Sequence, residues 1–208
     1  MKSKTFFLVM ITFFLWGLNG CSKDNSAPED PLAKLPPETQ TGANTFGCVI
    51  NGQVFYPRDG TSSLFNPGGR GFKFWGAPGV DRIWNEFEIR NLQDGKPCSR
   101  MIIHIQSLHQ NQIGDYIWKT SNFQNSIDGL MQNYVFARIF DETSQTWKFY
   151  GSYENSGKVT ITRYDLPNRI VTGNFNGKLK LFNGNEEIEI KNGRFDIKWS
   201  TLSEKSFP

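Results

Sequence analysis

Histidine, the side chain most often used for proton transfer, is scarce in this 208-residue chain, which holds only His104 and His109. His104 sits in a run, Met101 to Leu108, whose apolar phase is Met101, Ile103 and Ile105, so its ring faces the other way; His109 lies beyond the end of that run. Residues five apart on a strand project to opposite faces, so the two imidazoles do not converge on one metal, and both are expected to be structural. Glu86 with Glu88, and Glu187 with Glu189, are acid pairs two apart and hence on one strand face, as a glycosidase requires of its two carboxylates. Glu187 and Glu189 alternate with Ile188 and Ile190, the mark of a wet face, and a solvated edge is expected for such pairs. Gly68-Gly69-Arg70-Gly71 has the composition of a phosphate cradle, but a cradle needs the free N–H groups of a following helix. Phe72-Lys73-Phe74-Trp75 follows instead and is strand-like, so Asn66 to Gly71 is expected to be a loop. Hydrolase elbows, zinc-protease pairs and calcium loops are all missing from the sequence, so no catalytic residue, metal ligand or cofactor site is assigned.

Aromatic residues make up 14% of the chain, which is high enough to ask whether some serve a ligand. Phe175, Phe195 and Trp199 lie in the apolar phase of their strands and belong to a core. Trp75 is out of phase with Phe72 and Phe74, and Trp84 with Ile83, Phe87 and Ile89. An exposed indole on a sheet stacks against the C–H face of a sugar, which makes Trp75 and Trp84 the candidate ligand-stacking residues; the competing expectation is a second packed layer on those faces. Cys48 and Cys98 form a candidate disulfide in an oxidising compartment, provided that the loop holding Cys98, after Gly95-Lys96-Pro97, returns to the first hairpin.

The elements that must position these groups are strands. Val171, Gly173, Phe175, Gly177, Leu179 and Leu181 alternate with Thr172, Asn174, Asn176, Lys178 and Lys180, a period of two with one buried and one wet face. Similar alternation marks Val159 to Ile161 and Phe195 to Trp199, with further candidates at Phe46–Ile50, Val54–Tyr56, Gly71–Trp75, Ile83–Arg90, Met101–Leu108, Tyr134–Phe140 and Trp147–Tyr153. Asn51-Gly52 and Asn192-Gly193 are placed as type I′ hairpin turns, and Asn183-Gly184 and Ser156-Gly157 as punctuation. No stretch carries a helical stripe, Ile127 to Met131 supplying one turn at most. The expected fold is all-β, an antiparallel sandwich or flattened barrel of about 8–10 strands.

The first 20 residues have a basic start (Lys2, Lys4), an apolar run from Phe6 to Leu18, and Gly20 before Cys21, which is the layout of a secretion signal too short to span a bilayer comfortably. Leu18-Asn19-Gly20-Cys21 resembles the lipobox of bacterial lipoproteins, which implies acylation of Cys21 and a membrane lipid anchor. Residues 21–44, with Pro28, Pro31, Pro36 and Pro37 among small polar residues, are expected to be a flexible tether, and 45–208 a single β domain. Removing the leader with Lys2 and Lys4 lowers the net charge from the +3 of the whole chain to about +1, which argues against nucleic acid as a partner.

The run Asn44-Thr45-Phe46-Gly47-Cys48-Val49-Ile50-Asn51-Gly52-Gln53-Val54-Phe55, with the closing pattern Gly157 to Thr162, Ile170 to Phe175 and Gly193 to Asp196, resembles a group of uncharacterised lipoproteins of the Bacteroidota. The resemblance implies a lipid-anchored β domain and carries over no functional residue. The expectation is an outer-membrane lipoprotein, facing either the periplasm or the surface, whose monomeric β domain is a non-catalytic binding or structural module, with a glycan or an envelope protein as its expected partner. The alternative is an envelope hydrolase acting on glycans with no recognisable motif.

Overall fold

Asn51 and Gly52 take φ of +47° and +82°, the left-handed pair of a type I′ turn, and fold β1 (Thr45–Ile50) onto β2 (Gln53–Phe55). In the computed structural model, which describes residues 30–62, 68–76, 83–93, 95–123 and 131–208, this hairpin starts a sheet of eleven strands. β1 pairs with β11 (Glu187–Lys198), and β11 with β10 (Ile170–Leu181). β10 then forks. Its first two thirds pair with β9 (Gly157–Asp165), beyond which lies β6 (Gly114–Ile117). Lys180 and Leu181, at its end, pair with β8 (Thr146–Gly151), which leads through β7 (Tyr134–Asp141), β5 (Ser99–Gln106) and β4 (Trp84–Asn91) to β3 (Phe72–Trp75). Every ladder between these strands is antiparallel, and the curled sheet forms a half-barrel, the all-β fold the alternation predicts. The strand the sequence did not announce is β6, four residues opening on Gly114-Asp115. Ile127–Leu130 lie outside the described residues.

Asn192-Gly193 is a bulge inside β11 and not a hairpin turn. Opposite it the register jumps: Phe175 pairs with Gly193 but Gly177 with Ile190, and on the other edge Gly47 pairs with Arg194 but Val49 with Lys191. Asn192 keeps the positive φ, +52°, that made the dipeptide look like a turn. A Cβ on Gly193 would sit 2.5 Å from the Phe175 carbonyl oxygen, so the bulge is fitted to β10 by the absence of a side chain. Bulges bend a strand and increase its twist, which lets twelve-residue strands curl around a core.

The concave face holds that core: Phe46, Phe87, Ile103, Val135, Phe175 and Phe195 are among its buried members, with Phe46 stacked on Phe175 at 5.3 Å and Phe87 tilted on Phe195 at 4.8 Å. Trp199 packs at its margin. The convex face of β4, β5 and β7 is buried as well, with Ile102, Tyr134 and Phe136 forming a second cluster against which Phe123 packs. Glu86 and Glu88 belong to this face and are 0% and 2% exposed, so the solvated edge expected for them is wrong; Glu187 is exposed as expected.

Residues 31–44 are not a tether either, since Pro31–Pro208 form one compact unit. Pro31–Lys34 make a 3-10 turn, Leu35 is buried, and Pro36 packs so close to Gly47 that a Cβ there would lie 2.7 Å from its ring. Asp196 of β11 fixes the rest. Its carboxylate accepts hydrogen bonds from the Thr39 hydroxyl (2.6 Å) and the backbone N–H groups of Thr41 (2.9 Å), Gly42 (2.8 Å) and Ala43 (3.1 Å), with Thr172 Oγ1 at 3.0 Å. Composition marked the segment as unable to form its own core, but its partner lies on the last strand. The leader and Cys21 lie outside the described residues.

Candidate binding site

The strand register writes the convex face as rows. Trp75, Glu86, His104 and Tyr134 are successive partners across β3, β4, β5 and β7; Lys73, Glu88, Ile102 and Phe136 form the next row; Arg90, Arg100 and Arg138 form a third across β4, β5 and β7. In the first row His104 Nδ1 lies 2.8 Å from Glu86 Oε1, to which the Tyr134 hydroxyl donates at 3.3 Å. The His104 ring is sandwiched between Trp84 (5.8 Å, 22°) and Tyr134 (4.7 Å, 10°). Glu86 Oε2 and His104 Nε2 are buried and have no hydrogen-bond partner among the described residues. Burial and the neighbouring Glu86 raise the Tyr134 phenol well above its usual range, so it stays a hydrogen-bond donor. The row is a carboxylate–imidazole–phenol array locked by stacking.

Glu88 of the second row reaches both neighbouring rows: its Oε1 accepts from Arg90 Nε (2.6 Å) and Arg100 Nη2 (2.9 Å), while its Oε2 accepts from the Trp75 indole N–H (2.9 Å). Burial works to raise the pKa of Glu88, but the Trp75 hydrogen bond and the charges of Arg100 and Arg90 together hold it below the ordinary value. Arg100 is pushed down, first by burial and then by the like charges of Arg90 and Arg138, with Glu88 opposing. Arg138 has no acidic partner among the described residues: its Nη2 donates to the Cys98 carbonyl at 3.4 Å, its guanidinium lies 4.4 Å over the Trp147 ring, and its buried Nε is unpartnered.

Trp75 and Trp84 therefore share a face, but each is half-buried and engaged, Trp75 by Glu88 and by Lys73 over its ring (5.5 Å), Trp84 by His104. These contacts come from neighbours on the same face of the sheet. Cys48 and Cys98 are free thiols, and the candidate disulfide does not form. Cys48 points from β1 into the concave core, where burial raises its pKa, whereas Cys98 precedes β5 beside the arginine row, its thiol 3.5 Å from the Ser99 carbonyl. The histidines face apart as expected: His109, in a helical turn Leu108–Asn111, lies 2.5 Å from the Tyr164 hydroxyl and 2.9 Å from the Gly76 carbonyl. Gly68–Gly71 pack against 58–60, and a Cβ on Gly71 would lie 2.6 Å from Arg58 backbone, so they form a packed loop and no cradle. Among the described residues no three His, Cys, Asp or Glu side chains are grouped to hold a metal ion.

At the end of the half-barrel where β4 finishes and β5 starts, a cleft of about 750 Å³ opens. Ile50, Phe55, Ile139 and Ile188 give it an apolar floor, and Asn51, Gln53, Asn91 and Gln93 supply amides. On one wall Lys148 bridges Asp141 (3.1 Å) and Glu186 (2.8 Å), and the Tyr150 hydroxyl donates to Glu186 (2.6 Å). Hydrogen bonds from Ser144, Thr143 and Lys148 lower Asp141 to about 2, those from Lys148 and Tyr150 lower Glu186, and the two carboxylates raise Lys148. These groups keep fixed charges at neutral pH, which suits hydrogen bonding to a ligand better than proton transfer. None of these residues stood out in the sequence, because they come from β7, β8 and the turn before β11.

No family model, no curated protein and no solved structure matches this chain. Among the described residues no helix is long and apolar enough to cross a membrane.

Proposed function

We propose that the protein is a lipid-anchored, non-catalytic binding domain of the bacterial cell envelope, held at the outer membrane through Cys21, whose ligand is a glycan seated in the end cleft. The cleft carries the proposal. Its volume suits a short oligosaccharide, and its lining combines apolar floor, amides, a tyrosine and fixed charges, the mixture that hydrogen-bonds sugar hydroxyls while covering C–H faces. Mouths of β-barrels are common ligand sites because loops and strand ends leave space that side chains do not fill. Trp75 and Trp84, the sequence candidates, are half-buried and engaged by same-face neighbours, so the cleft is the better supported seat for a glycan.

The test is a glycan array of neutral oligosaccharides probed with the full chain in detergent, paired with a Lys148→Met, Tyr150→Phe double variant. Selective binding that falls at least tenfold in the folded variant supports the cleft. A blank array, or binding that the variant leaves untouched, overturns it. The anchor is tested separately by labelling cells with an alkyne palmitate analogue: label lost in Cys21→Ala supports acylation there, and label retained refutes it.

A further inference from the structure

We propose that the row Arg90–Arg100–Arg138 is a second recognition site, one that takes the carboxylate of an acidic sugar on the convex face. Like charges placed directly opposite on neighbouring strands are destabilising, so arginines in register call for compensation by an anion. Glu88 pairs with Arg90 and Arg100. Arg138 is left with a carbonyl, an aromatic face and a buried, unpartnered Nε. Stacking on Trp147 holds its guanidinium plane in place, which removes much of the ordering cost of binding.

A guanidinium offers parallel N–H donors whose spacing matches the two oxygens of a carboxylate, so a planar carboxylate is matched by an arginine fork better than by the point charge of a lysine. Beside Arg138 in the register stands Phe149 on β8, 38% exposed, its ring tilted against that of Phe136 (6.3 Å). An exposed aromatic ring next to an arginine fork is the pair of contacts a uronate presents surfaces for: its carboxylate to the fork, the C–H face of its ring to the phenyl. The small net charge of the chain argues against a polyanion wrapping the whole protein, but one carboxylate needs only a local excess of cations. The site is distinct from the end cleft, since Arg138 and Ile139 are successive residues of β7 and face opposite ways; its test does not depend on the cleft proposal.

The experiment titrates the full chain in detergent, by calorimetry, with oligogalacturonate, with its methyl ester, and with a sulfated galactan oligosaccharide that lacks carboxylates. The expected result is binding of oligogalacturonate that weakens as NaCl is raised, at least tenfold weaker binding of the methyl ester, and at least a tenfold loss in Arg138→Met. Arg138→Lys keeps the charge without the fork and is expected to lose most of the affinity too; it guards against misfolding of the Met variant, and thermal melts establish that each variant is folded. Equal binding of acid and ester, binding of the sulfated oligosaccharide alone, no binding of any of the three, or full affinity in both folded variants overturns the assignment. Because the cleft is scored with neutral sugars and with substitutions on the concave side, failure here and failure there are read apart.

Discussion

The Thr39 hydroxyl donates to the Asp196 carboxylate at 2.6 Å across 157 residues of chain, joining the segment that precedes the first strand to a position near the end of the last one. Asp196 is 1% exposed, yet it is well solvated by protein, through two further hydroxyls, of Thr172 and Thr41, and three consecutive backbone N–H groups. Burial alone would raise its pKa, but these hydrogen bonds reverse the sign and hold it below the ordinary carboxylate value. A depressed folded pKa means that the stabilisation is fully present above the unfolded value near 4 and is lost as pH falls through the folded value. Asp196→Asn should therefore cost about 2–3 kcal/mol in urea denaturation at pH 7, the scale of hydrogen bonds to a charged group, and less below pH 3. It should also expose residues 39–43 to limited proteolysis. An unchanged midpoint at pH 7 would contradict the role given to this carboxylate.

Removing Glu86 leaves His104 buried among Trp84, Tyr134 and Ile102 without its Nδ1 partner. Glu86→Ala is expected to cost about 3–5 kcal/mol, the penalty for breaking a buried polar pair from one side. In a double-mutant cycle with His104→Ala the two losses should be less than additive, with a coupling of about 1–3 kcal/mol; additive losses would mean that the pair does not interact.

Both thiols should be found unbridged. Unreduced protein alkylated in guanidinium should yield modified peptides containing Cys48 and Cys98. In the native protein at pH 8 Cys48 should remain unmodified, because burial both shields it and keeps it protonated. A disulfide-linked peptide in the mass spectrum would reverse this conclusion.

Gly193→Ala places a methyl group 2.5 Å from the Phe175 carbonyl oxygen and 2.6 Å from its ring. Either the β10–β11 register or the core must shift, so a loss of about 1–3 kcal/mol is expected, as for overpacking. Thermal melting measures it, and an unaltered transition would show that the bulge has slack.

The alternation of β10 was legible because one of its faces is wet. β4 and β5 show the same alternation of polar and apolar residues, but there the polar phase, Glu86, Glu88 and His104, is paired and covered; a period of two distinguishes the two faces of a strand without saying which is solvated. Asn192-Gly193 misled for a related reason, since a type I′ turn and a bulge both require positive φ, and only the partner strands reveal which one forms. Leu35 to Ala43 gave no local sign of packing because what holds them is Asp196. The arginine row was invisible for want of register: Arg90, Arg100 and Arg138 are ordinary strand residues until β4, β5 and β7 are aligned.

The hydrogen bonds on Asp196 also define how the domain bears load. A chain pulled from its N-terminal side is held first by Leu35 and by the five hydrogen bonds that residues 39–43 make with one carboxylate, and only then by the ladder between β1 and β11. These few contacts yield before the sheet does, releasing residues 31–44, whose full extension is at most about 45 Å at roughly 3.3 Å per residue, and re-forming when tension falls. Asp196 is in that sense a resettable fuse, and optical-tweezer traces should record a small reversible step that precedes unfolding of the barrel and vanishes in Asp196→Asn.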